Sequence, residues 1–137
     1  MPIVSFITNY LTEIQEIDQS DLSLRNKYIR IKRVMERSCK EITGSESLQF
    51  PSLFSRLVFI AQKYNLSKAL EWQLQSIRVK SSFLLRNENN LVSPSQYQRG
   101  KEAIITFLSI IDGDKIETMQ ELKIKACLMD WIQISQL

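Results

Sequence analysis

The sequence predicts an all-α fold, a single bundle of about six helices joined by short connections. Three observations point there. Only three glycines and three prolines occur in 137 residues, too few for the turns of a β-sandwich or an α/β sheet. Apolar residues recur at steps of three and four along most of the chain, the period of helices with one buried stripe. Helix-start residues stand between those stripes, which sets the links short. At 44% hydrophobic and 24% charged residues, the chain suits one domain around one core.

The first helix follows Pro2, with Ile3, Phe6, Ile7, Tyr10, Ile14 and Ile17 on one stripe. Asp18-Gln19-Ser20-Asp21 breaks it and caps the next. The second is predicted from about Leu22 to Thr43, where Leu24, Tyr28, Ile31, Met35, Ser38 and Ile42 share a face. Gly44 sits at the place of a left-handed C-cap. After a polar connection from Ser45 to Phe50, Pro51 opens a third helix whose inner face is Leu53, Leu57, Ile60 and Tyr64. Asn65 stops it. Ser67 caps a fourth, Leu66 packs on Leu70 as a staple, and Leu74 and Ile77 carry the stripe into Phe83 and Leu84.

Asn87 to Asn90 is the clearest loop. Ser93-Pro94-Ser95-Gln96 is a capping box with proline at the first helical position, and it starts a fifth helix with Tyr97, Ile104, Leu108 and Ile111 inward. Asp112-Gly113-Asp114 ends that helix, and Asp114 caps a sixth that reaches Trp131 or beyond. This last segment is apolar on more than one side, so it is expected either to join the core or to be peripheral.

Composition also excludes function classes. The chain has no histidine, which removes Ser-His-Asp and Cys-His catalysis and His-ligated zinc or haem. Its glycines are Gly44, Gly100 and Gly113, so no phosphate-cradling loop and no nucleophile elbow can form. Asp112 to Glu117 begins like a calcium loop, but Ile116 occupies a ligand position and Glu117 the place of the obligatory glycine. No cofactor, metal or catalytic residue is therefore expected, and the chain by itself is not an enzyme. Cys39 and Cys127 stand 88 positions apart without a second ligand, the pattern of reduced thiols in a cytoplasmic protein. The longest mostly apolar run, Ala103 to Ile111, falls short of the ~20 residues of a membrane span.

Charge is uneven. From Arg25 to Arg86 there are 13 basic residues against four acids, whereas the rest of the chain has five against 11. On the second helix Arg30, Arg33, Arg37 and Lys40 follow each other at steps of three, four and three, a line about 15 Å long down one face. Guanidinium forks suit phosphate. The row, with Arg56, Arg78 and Lys80 as extensions, is the candidate contact for the phosphate backbone of DNA or RNA. The plainer reading is a solvated helix face, partly neutralised by Glu36, Glu41 or the acidic termini.

Ala61 to Ser67 has the small residue and turn spacing of a helix-turn-helix, but Glu71 falls where that motif buries an aliphatic side chain. Tyr28, among basic residues, lies on the apolar stripe and is assigned to the core. Trp72 lies off the stripe of its helix, a place for packing or for a partner.

Residues from Asp21 to Lys63 carry a family likeness. Asp21-Leu22-Ser23-Leu24-Arg25-Asn26-Lys27-Tyr28, Met35-Glu36-Arg37, Cys39-Lys40-Glu41, Ser45-Glu46-Ser47-Leu48-Gln49-Phe50 and Leu53-Phe54-Ser55-Arg56-Leu57 resemble the helical N-terminal region of large bacterial superfamily 1 helicases. The resemblance covers about a third of the chain and implies an N-terminal accessory domain, with an ATP-driven motor downstream in the same polypeptide. The phosphate-binding loop and the acidic magnesium-binding motif are missing from these residues, so no ATPase activity carries over. Two functions follow as expectations. One is nucleic-acid binding through the basic row. The other is a protein-interaction or regulatory module that docks on the motor or another subunit, with exposed apolar surface at Trp72, Phe83 or the last helix.

Overall fold

The computed structural model describes residues 5–46, 49–87 and 91–113, and all of its regular structure there is helical. The helices are α1 (Ser5–Gln19), α2 (Leu24–Ile42), α3 (Leu53–Lys63), α4 (Lys68–Arg86) and α5, which runs from 94 to 113, where the described residues end. Five helices among the described residues make the expected bundle. The sixth, predicted from Asp114 onward and including Cys127, lies outside them.

Helix α2 is the centre. It touches α1, α3 and α4, and Gly100 brings α5 against its Tyr28 and Ile31. Tyr28, Ile31, Met35, Ser38 and Ile42 are buried as their spacing predicts, but so are Ile29, Val34 and Cys39. A helix enclosed by neighbours on several sides needs more than one apolar stripe. Burial pushes the Cys39 thiol up to about 12, which leaves it protonated and unreactive at neutral pH.

The caps follow the sequence, with small shifts. Ser23 accepts from the Asn26 amide, so α2 starts two residues later than predicted. Ser52 and Ser55 form a reciprocal capping box, which leaves Pro51 outside α3. Ser67 and Ser93 cap α4 and α5, the latter with Gln96 reaching back to the Ser93 amide at 2.9 Å.

Gly44 corrects the expectation of a left-handed cap. No described glycine has positive φ. Thr43 is the C-cap instead, and its hydroxyl donates to the Cys39 carbonyl at 2.8 Å. The left-handed residue is Asn65, with φ of 53°. There the Leu66 amide donates to the Ala61 carbonyl at 2.9 Å and the Asn65 amide to Gln62 at 3.4 Å, a Schellman closure of α3. The α3–α4 pair is thus a helical hairpin. Glu71 remains partly exposed beside Lys68, at 3.9 Å, so the buried position a helix-turn-helix requires is not filled.

Phe83 is the second correction. The inner face of α4 is Leu70, Leu74, Ile77, Ser81 and Leu84, stepping by four, three, four and three, and Phe83 is 46% exposed. Ser81 takes the core position that a purely apolar stripe passes over. On α5, Tyr97, Ile104, Leu108 and Ile111 are buried as predicted, joined by Ala103 and Phe107.

Asp18 ties three helices together. Its carboxylate accepts from Tyr97 Oη at 3.0 Å and Lys101 Nζ at 3.1 Å, and its carbonyl accepts from Lys27 Nζ at 2.7 Å. The Lys101 hydrogen bond, helped by Tyr97 and opposed by desolvation, holds the carboxyl below its ordinary value of 3.8. A depressed carboxyl pKa adds stability above the unfolded-state value, and that stability is lost as pH falls through the folded-state value. At 39% exposure solvent screens the effect, so it is small. Thermal midpoints measured from pH 5 down to pH 2 should therefore fall, and Asp18→Asn should make that slope shallower.

Candidate interaction surface

The row predicted on α2 exists. Arg30, Arg33, Arg37 and Lys40 are all exposed on one face of the helix. Opposite them lies α1, an acidic terminal segment of the kind the plainer reading laid over the row, running antiparallel: Tyr10 Oη donates to Glu41 at 2.6 Å, and Arg37 is ion-paired with Glu13. The two helices enclose an open groove of about 620 Å³ lined by Glu13, Glu16, Arg30, Arg33 and Arg37. Two carboxylates therefore face three guanidiniums. Arg30 and Arg33 have no ion-pair partner among the described residues.

The three extensions do not join the row. Arg56 is half-buried: it donates to Thr43 Oγ1 at 2.5 Å and lies 5.3 Å from the Phe50 ring centre, clamping the end of α2 to α3. Arg78 donates from Nε to Gln75 at 2.8 Å and lies 5.3 Å from the Phe54 ring centre. Lys80, on α4, lines a trough beside α5. Arg56 sits on α3 and Arg78 and Lys80 on α4, so with the row on α2 the seven predicted cations are divided over three helices.

Arg78 and Lys80 border a different surface. Trp72 is 70% exposed, Val79 54% and Phe83 46%. At steps of seven and four they fall within about 40° of one another around α4, opposite its buried stripe. Phe54 of α3 is exposed beside them, its carbonyl accepting from Gln75 Nε2 at 3.3 Å. Two depressions flank the line. One, of about 380 Å³, is lined by Trp72, Gln75, Ser76, Val79, Lys80 and Phe83. The other, about 410 Å³, runs between α4 and α5 past Tyr28, Trp72, Ile77, Lys80, Arg99 and Gly100. Lys80 and Arg99 are charged linings of these depressions, and among the described residues no carboxylate lines either.

No family model matches this chain, nor does any curated protein or solved structure. The surface is accordingly read from its own chemistry. Among the described residues no cluster of acidic and thiol groups comes together to hold a metal ion, and no helix is long and apolar enough to cross a membrane. Val79, Phe54 and Arg99 were not singled out from the sequence. The signal was present for one of them, since Trp72, Val79 and Phe83 make a second helical stripe in α4.

Proposed function

We propose that this chain is a non-catalytic docking module that attaches through the outer face of α4. By the resemblance of residues 21–63, its partner is the motor domain of a bacterial helicase or an associated subunit. The observation that carries the proposal is Trp72, 70% exposed and aligned with Val79 and Phe83. Large aromatic side chains bury on the order of 150–250 Å² each, so Trp72 and Phe83, aligned with Val79 and beside Phe54, present more apolar surface on one face than singly scattered residues do. Such anchors dominate helical interfaces.

A second reading keeps nucleic acid, and Arg30 with Arg33 favours it. They stand one helical turn apart without a carboxylate partner among the described residues. Glu13 and Glu16 in the same groove weaken the field there, so the contact is shorter than the row predicted from sequence and is insensitive to base identity.

One fluorescence experiment tests the first reading. In the full chain carrying Trp131→Phe, Trp72 is the single tryptophan. Its emission should be that of a solvated indole, readily quenched by acrylamide, and should shift to the blue when the motor domain is added as a separate polypeptide. Trp72→Ala should weaken that association by roughly thirtyfold or more, the loss of one central anchor. A shielded Trp72 in the free chain, or equal affinity after its removal, overturns the reading. Loss of oligonucleotide binding in Arg30→Glu/Arg33→Glu, with that of Trp72→Ala unchanged, establishes the second reading instead.

A further inference from the structure

The docking reading leaves open what kind of surface lies across α4, and we infer that it is an amphipathic helix with acidic edges. This rests on that reading and deepens it. Trp72 to Phe83 spans 11 positions, about 16 Å or three turns of helix, and the line is straight because its steps are seven and four. Beside it runs a parallel trough floored by Gly100, with Tyr28 and Ile77 in its walls. A ridge next to a groove of the same direction is the form that another helix fits. No described residue is in a strand, so these elements offer no sheet edge to an extended peptide.

The edges specify charge. Arg78 lies toward α3 over Phe54, while Lys80 and Arg99 lie toward α5. Two acids stand near these cations: Glu71 is 3.9 Å from Lys68, and Glu102, which accepts from Gln98 at 3.0 Å, lines a neighbouring depression together with Arg99, so among the described residues Lys68, Arg78, Lys80 and Arg99 outnumber the acids there. An apolar centre with cations on both sides has the layout of a helix–helix seam, where the flanking charges choose the partner. A single-stranded nucleic acid also likes aromatics among cations. It needs a continuous basic track beside stacking faces, however, and here aliphatic Val79 stands between Trp72 and Phe83 while the cations are divided between two sides.

The test uses the full chain and two synthetic 18-residue helical peptides with one leucine face, one edged with glutamate and the other with lysine. The glutamate-edged peptide should bind at least tenfold tighter, measured by anisotropy. Lys80→Glu/Arg99→Glu should reverse that preference, and Trp72→Ala should weaken both peptides with the helical circular dichroism retained. Equal binding of both peptides, each lost in Trp72→Ala, overturns the acidic edge while leaving docking intact. No binding of either, with Trp72 shielded in the free chain by its own residues or by a second copy, overturns docking as well. Tighter binding of an oligothymidylate, competed by neither peptide and lost in Trp72→Ala, overturns the helix in favour of nucleic acid.

Discussion

Phe107→Ala should lower the unfolding free energy by about 3–5 kcal/mol, the range for an aromatic side chain removed from a close-packed interior. For a chain of this size the thermal midpoint should drop by roughly 10–20 °C. Phe107 has no exposed surface and lies in the core with Ile104, Leu108 and Ile111. The cavity is large because Phe107 and those neighbours belong to one fully buried cluster with little room to collapse. Thr106→Ala, one position along the same helix and exposed, should stay within about 0.5 kcal/mol. The pair is read by urea titration. A Phe107→Ala variant with the midpoint of the parent chain would mean that α5 is not part of the cooperative core.

Phe107 also shows how helical periodicity is read and where it falls short. Tyr97, Ile104, Leu108 and Ile111 were legible because they repeat at seven, four and three, and Phe107 fits between them only if the buried face is wider than one stripe. The same holds for Ile29, Val34 and Cys39 on α2. A single sequence displays each helix's own period, while the width of its buried face depends on how many neighbours enclose it. Capping was legible in finer detail, because Ser67, Ser93 and Gln96 act within one turn of their own backbone. Gly44 misled for the converse reason: glycine permits a left-handed cap, but the Thr43 hydroxyl on the Cys39 carbonyl and Arg56 on that hydroxyl settle the chain's exit without it.

The surface was less legible than the core. Four cations on one face of α2 could be counted from spacing alone, but Glu13 is 24 positions from Arg37 and meets it only because α1 turns back along α2. Charge patterning within a helix carries no information about the helix laid beside it. Phe83 failed in a related way. A serine at 81 interrupts the apolar stripe of α4, and a reading that skips it carries the stripe one position early, to an aromatic that in fact faces water. Both cases have one physical origin, since solvation of a side chain is a property of the assembled fold and only its helical azimuth is local.

Gly100 is where core and surface meet. A Cβ there would lie 3.3 Å from Tyr28 Cε2, 3.6 Å from Ile31 Cδ1 and 3.7 Å from Ile77 Cδ1. Alanine gains about 1 kcal/mol in helix propensity over glycine, and crowding against the Tyr28 ring takes most of it back, so Gly100→Ala should differ from the parent by less than about 1 kcal/mol. Valine adds methyls toward Ile31 and Ile77 and stiffens the backbone, and Gly100→Val should cost about 2–3 kcal/mol by overpacking. Both are measured by denaturant titration, and equal midpoints for Ala and Val would show that α5 stands farther from α2 than these distances state. Gly100 also lines the trough beside Trp72. The folded Gly100→Ala variant should therefore bind a partner helix less well without losing stability, because the absence of a side chain lets α5 approach α2 and also leaves depth for an incoming residue.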